Sequence, residues 1–126
     1  MRRIVMKTLY TKSIQAKPEV SDGIRICIMR RPDRDALYDI WIPHLSPSPQ
    51  LLDAYYSKEI DWTIYEKRFI PEVLDKETAY LDIVLQIVKK YTVTLLCFEL
   101  SPEKCHRRLT AERLQKMSPE LDVIYK

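Results

Sequence analysis

Apolar residues fall along this chain in two rhythms, and the change from one to the other marks the order of its elements. Ile24-Arg25-Ile26-Cys27-Ile28-Met29 alternates apolar with other residues, whereas Val93-Thr94-Leu95-Leu96-Cys97-Phe98 is apolar almost without a break. The first pattern predicts a strand, and the second a strand buried on both faces. Ile4-Val5-Met6, within the opening Met1 to Tyr10, predicts a first strand. Tyr38 to Leu45, with Tyr38, Ile40 and Ile42 around Trp41, predicts a third strand or extended segment that Pro43 limits, and Leu121 to Tyr125 a last one.

Between these runs the apolar spacing switches to threes and fours. Ser48-Pro49 places an N-cap hydroxyl before a first-turn proline, so a helix is predicted from Pro49 to about Lys58 with Leu51, Leu52 and Tyr55 inward. Asp61 caps a second helix carrying Trp62, Tyr65, Phe69 and Val73, which Pro71 breaks or kinks. Asp75 is expected to cap a third, Lys76 to Tyr91, with Leu81, Val84, Leu85 and Val88 inward and Ile83 and Ile87 widening the stripe. Ser101-Pro102-Glu103 reads as the start of a fourth, running to Met117 and stopped by Ser118-Pro119. Thr11 to Gly23 is polar and reads as a loop closed by a turn at Asp22-Gly23. The element order gives a single α/β domain over residues 1–126, a three-layer fold with a mostly parallel central sheet flanked by helices.

Composition narrows the function classes. The chain has 126 residues, 46% hydrophobic and 31% charged, which suits an ordered globular protein and argues against disorder. Its single glycine excludes a Walker loop and a dinucleotide fingerprint, so no cofactor is expected. A net charge of +3 is too mild to make the whole surface a nucleic-acid site. Three cysteines, an odd number with no signal peptide ahead of them, point to reduced thiols in the cytoplasm. No run reaches the length of a membrane span.

Candidate chemistry concentrates where strand 93–98 meets helix 101–117. Such a junction leaves free N–H groups and the positive end of the helix dipole at the carboxyl edge of a sheet, and anions are favoured there. Cys105, His106, Arg107 and Arg108 stand in a row on this turn. Cys105 reads either as a nucleophile, its thiolate favoured by its cationic neighbours, or as an ordinary small buried residue. Arg107 and Arg108, with Lys104, either grip a phosphate or carboxylate or pair with Glu99, Glu103 or Glu112. Arg30 and Arg31, with Arg34, join the same edge if their strand lies beside strand 93–98. Glu99 can act as a general base, orient His106 or neutralise Arg107. Cys97, Cys105 and His106, with His44 as a fourth group, match no usual zinc spacing, and no metal is expected. Tyr38, Trp41, Tyr55, Tyr56, Trp62 and Tyr65 read as bases' stacking partners or as core.

Leu95-Leu96-Cys97-Phe98-Glu99 followed by Ser101-Pro102-Glu103-Lys104-Cys105-His106-Arg107 resembles the "domain of unknown function 488" family, in its branch with a C-H-R motif. Members carry a strand ending L-L-C-x-E, a short acidic or proline-bearing turn and C-H-R at a helix start. Trp41, Leu45-Ser46-Pro47-Ser48, Leu51, Trp62, Tyr65 and Phe69 look like that family's W…L-x-P-S…L…W-x-x-(F/Y) stretch. Arg30-Arg31-Pro32-Asp33-Arg34 stands where one branch has W-P-R-G, a departure from the pattern. The resemblance implies an α/β three-layer fold and no defined activity.

The residues together lead to a small cytoplasmic enzyme or binding domain for a phosphorylated or nucleotide-like ligand. Cys105, His106 and Glu99 are the expected catalytic groups, and Arg107, Arg108, Arg30 and Arg31 the anion-binding ones. The competing reading is a non-catalytic module that binds nucleic acid or a protein through its basic edge. A purely structural reading makes Cys105 and Arg107 packing and pairing residues. No membrane partner is expected.

Overall fold

The computed structural model describes residues 6–126. Five parallel strands form one sheet in the order β3-β2-β4-β1-β5: β1 is Thr8–Ser13, β2 Ile24–Cys27, β3 Ile40–Trp41, β4 Val93–Cys97 and β5 Asp122–Tyr125. Four helices flank it, α1 (Pro49–Tyr56), α2 (Trp62–Phe69), α3 (Thr78–Val88) and α4 (His106–Met117), in the three-layer α/β class. Every residue of β4 is buried, as its unbroken apolar run requires of a central strand. Among the described residues no helix is long and apolar enough to cross a membrane.

The first described strand is polar rather than apolar. Ile4 and Val5 lie outside the described residues, and β1 occupies the polar stretch Thr8–Ser13, three residues of which were expected in a loop. Pairing between β4 and β5 overrides the poor apolar signal, because each buried polar group on β1 has a partner. Ser13 Oγ donates to Phe98 O at 3.0 Å, Thr11 Oγ1 accepts from Lys126 N–H at 3.3 Å, and Lys12 Nζ reaches Asp22 Oδ1 at 3.0 Å.

Register sorts the strand side chains onto two faces. Leu9, Ile26, Val93 and Leu95 join the helices' Leu51, Phe69, Leu81, Val84 and Leu114 in one buried cluster. Lys12, Arg25 and Thr94 point the other way, under segment 14–23, where Thr94 Oγ1 donates to Asp22 O at 2.6 Å. Gly23 ends the 3₁₀ turn Val20–Asp22 with φ of 65°, and a Cβ there would stand 2.1 Å from Thr92 O. The chain's one glycine is therefore spent on a turn that only glycine fits.

The helix starts divide into those the caps foretold and those they did not. Ser48 Oγ accepts from Leu51 N–H at 3.1 Å with Pro49 in the first turn, and Asp61 Oδ1 accepts from Ile64 N–H at 2.9 Å. Asp75, however, does not cap α3. Pro71 cannot donate within the helix, and the chain widens into a π turn, Ile70–Leu74, in which Asp75 N–H donates to Ile70 O at 2.9 Å. The N-cap passes to Glu77, and the Asp75 carboxylate takes Arg113 at 2.7 Å instead. On α3, Leu81, Val84, Leu85 and Val88 are buried as expected, but Ile83 is exposed, since two residues along a helix from Leu81 lands on its far side.

The largest shift is at α4. Ser101 makes only a local turn, its Oγ accepting from Glu103 N–H at 3.4 Å, and residues 101–104 stay irregular. The helix begins at His106, with Cys105 as N-cap in an extended conformation (φ −141°, ψ 142°) and no side-chain cap bond. That puts the thiol at the helix mouth rather than one turn inside it.

Candidate functional site

Parallel strands end together, and the loops that leave their carboxyl ends enclose a cavity of about 430 Å³. Its floor is Cys97 at the end of β4 with Cys105 and His106 at the start of α4. One wall is aromatic, Tyr55 and Tyr56 from α1 with Trp62 and Tyr65 from α2, continued by Leu52. Arg30, Arg31 and Lys104 stand at the rim, with Glu99 and Asp53. Arg30 is held there by its Nε donating to Pro47 O at 3.0 Å. Leu51 of α1 is buried in the core, while Leu52 and Tyr55 of the same helix, both half-buried, line the cavity.

The floor has a defined hydrogen-bond order. His106 Nε2 lies 2.8 Å from the carbonyl of Ile28, which can only accept, so Nε2 carries the proton. His106 Nδ1 then faces Cys97 Sγ at 3.3 Å. The ring leans on Phe69, centroids 5.5 Å apart, and Thr110 Oγ1 donates to His106 O at 2.8 Å. Both sulfurs and the imidazole are buried.

Burial pushes both thiols up, and the two part from there. For Cys97 the neighbouring Cys105 sulfur adds to burial and holds it well above the ordinary thiol value. For Cys105 burial is outweighed by the Cys97 thiol, the His106 ring and the Arg107 guanidinium, which bring it below that value. In the wall, burial and then the Glu99 carboxylate raise the Tyr56 hydroxyl, which donates to Glu99 Oε1 at 2.8 Å. Burial raises Tyr65 likewise.

Of the residues singled out from the sequence, Cys105, His106, Glu99, Arg30 and Arg31 meet in this cavity. Arg107 and Arg108 do not line it. Arg107 is fully buried, its guanidinium donating to Glu99 O at 2.7 Å, Leu100 O at 3.4 Å and Lys126 O at 3.1 Å, with Nε left unpartnered. It ties the turn after β4 to the end of β5. Arg108 points outward to Glu112 at 2.8 Å and Glu66 at 3.1 Å and lies over Trp62. His44 stacks on Tyr80, ring centroids 4.0 Å apart, and takes no place among the floor groups. Tyr38 and Trp41 are exposed, Trp41 Nε1 donating to Met29 O at 2.8 Å.

One pair has no signal in the sequence, and one rim residue takes a larger part than its sequence context suggests. The Tyr56–Glu99 pair joins residues 43 apart and has no local signal. Lys104 was named only as a helper of Arg107, yet it reaches the rim because residues 101–104 are not helical.

A parallel α/β sheet with a thiol-imidazole floor at its carboxyl edge is the class that fold and site define. Comparison with known proteins then places it: a family profile described as "Active DUF488-N3 subclade" matches residues 9–118, and the chain belongs to the DUF488 family. It is also similar to "Uncharacterized protein YeaO" of Escherichia coli (strain K12), 25% identical over 114 residues, covering 86% of this chain and 98% of that one. No solved structure matches.

Proposed function

We propose that this chain is an enzyme that takes a small phosphorylated or nucleotide-like ligand into the cavity at the carboxyl edge of β4 and acts on it at the thiol floor. What supports this is the composition of one cavity: a cationic rim and an aromatic wall over Cys105, in about 430 Å³. Small-molecule sites run to roughly 300–1,000 Å³. Arg30, Arg31 and Lys104 would receive the anionic group, and Tyr55, Tyr56 and Trp62 would flank a planar part. Cys105 would face the reacting centre, with His106 and the Tyr56–Glu99 pair handling protons. Arg107 leaves the anion-binding set for a positioning role, holding the backbone on which Glu99 sits. With Arg107 internal and Arg108 engaged by two carboxylates, the basic edge that a nucleic-acid or protein partner would use is much reduced. The site is assigned to a single domain, and its unpaired thiols suit the reducing cytoplasm.

A thermal-shift titration of the reduced protein with AMP, and separately with inorganic phosphate, tests the reading. AMP is expected to raise the midpoint. Arg31→Gln, an exposed rim position, is expected to weaken that response roughly tenfold, the scale of one charge-assisted hydrogen bond. No shift from either probe at millimolar concentration would sink it.

A further inference from the structure

We propose that Cys97, Cys105 and His106 form a three-ligand seat for a zinc-type divalent cation, with the fourth coordination position turned to the cavity. The donor atoms of the three residues all lie within 4.8 Å of one another, and Cys97 Sγ is 3.3 Å from His106 Nδ1. A tetrahedral zinc ion with bonds of about 2.3 Å to sulfur and about 2.0 Å to nitrogen sets its donors roughly 3.5–3.8 Å apart. Small side-chain movements therefore close the set around an ion.

The imidazole is prepared for this. A ligating histidine characteristically donates its second N–H to a carbonyl or carboxylate, which fixes the ring and bares the other nitrogen. His106 does so to Ile28 O at 2.8 Å, leaving the Nδ1 lone pair toward the sulfurs. Two soft sulfurs and one imidazole favour zinc over magnesium or calcium, which prefer oxygen ligands. Closed structural zinc sites have four protein ligands, and open ones keep three plus a free position. Here all three ligands line the cavity, and His44, the fourth group suggested by the sequence, is stacked on Tyr80 elsewhere. The spacing looked wrong for zinc because β4 ends at Cys97 and α4 starts beside it, so residues eight and nine positions on return to the same point.

The inference deepens the proposed function, moving Cys105 and His106 from thiol and proton chemistry to ligation, and rests on it only for what the ion would do: as a Lewis acid it would polarise an oxygen of the bound ligand. The seat itself stands without any ligand, so the two can fail separately. Chelator-treated, reduced protein would be titrated with cobalt(II) and followed by absorption. The expected result is a thiolate-to-cobalt charge-transfer band with tetrahedral d–d bands, saturating at one ion per chain and erased by zinc. Cys97→Ser and Cys105→Ser are each expected to lower the affinity by roughly tenfold or more. Cys27→Ser, in β2 and outside the cluster, is expected to keep it. A wild-type spectrum without the charge-transfer band overturns the proposal whether or not the variants fold. So does a band that survives in both Cys97→Ser and Cys105→Ser. An AMP response in metal-free protein alongside a missing cobalt band would sink the seat alone, and a cobalt band with no AMP or phosphate response would sink the ligand reading alone.

Discussion

Lys12, Asp22 and Arg25 lie against one face of β1 and β2, while Cys97, Cys105 and His106 gather at the carboxyl end of β4 on the other. Both clusters are polar and buried. In the first, Lys12 Nζ meets Asp22 Oδ1 and Glu19 Oε1, each at 3.0 Å, and donates to Lys17 O at 2.8 Å. Arg25 bonds the same Asp22 carboxylate and donates to Leu37 O at 3.0 Å. Charges and hydrogen bonds close on themselves, and the cluster pins segments 14–23 and 28–39 over the sheet. In the second, two thiols and an imidazole are left facing a cavity. Burial is common to both; what separates a strut from a site is whether the buried groups exhaust one another.

Breaking the closed cluster should cost the most. Asp22→Ala removes the carboxylate shared by two cations whose side chains are 7% and 8% exposed, and removing one partner of a buried pair costs about 3–5 kcal/mol. Urea unfolding of the variant should show a loss of that size. A loss under about 1 kcal/mol, the range of exposed pairs, would place this cluster in water.

The same cluster sets a pH window. Burial would raise the Asp22 carboxyl, but the Glu19 N–H, Lys12 and Arg25 outweigh it and hold the group below its ordinary value. Its contribution to stability is present above the unfolded value of about 3.9 and disappears as pH falls through the folded one. Burial would lower Lys12, yet Asp22 and Glu19 overcome it and raise the ammonium above its ordinary value. That contribution is complete below about 10.4 and is lost as pH rises through the folded value. Urea midpoints should be flat through neutrality and fall at both ends, and Asp22→Ala should soften both falls.

These two clusters also divide what the sequence disclosed. Wherever a signal is local it was readable: the apolar run of β4, the Ser48-Pro49 and Asp61 starts, the buried stripe of α3 and the crowding of Cys105, His106 and Glu99 near one junction. The closed cluster was invisible because Lys12 and Asp22 look like loop residues until β1 pairs between β4 and β5. The α4 start was misplaced because Ser101-Pro102-Glu103 satisfies every local rule for a cap, whereas Arg107 bonding Glu99 O and Leu100 O and Arg108 bonding Glu103 O tie that stretch down outside the helix. Arg107 and Arg108 look alike in sequence, and a helix turn of about 100° sends one inward and the other out.

Cys105→Ser gives the opposite test from Asp22→Ala. A cluster that does not serve as a strut should tolerate the change at about 1 kcal/mol or less, the scale of one hydrogen bond, as measured by urea midpoint. A cost near that of Asp22→Ala would make the thiol floor structural and dissolve the contrast.

Arg108→Gln should do least, and its smallness is informative. Its ion pairs with Glu66 and Glu112 are partly exposed, and such pairs contribute about 0.2–1 kcal/mol. The guanidinium lies 5.9 Å from the Trp62 ring and does not line the cavity whose rim Arg30, Arg31 and Lys104 form. Unfolding should therefore shift by under about 1 kcal/mol, and the AMP response that Arg31→Gln weakens should stay as in the wild type. If Arg108→Gln instead abolished that response with stability intact, the anion would be meeting α4 from its outer face. The open cluster would then extend beyond the cavity walls, and the contrast with the sealed Lys12–Asp22–Arg25 cluster would have to be redrawn around a larger surface.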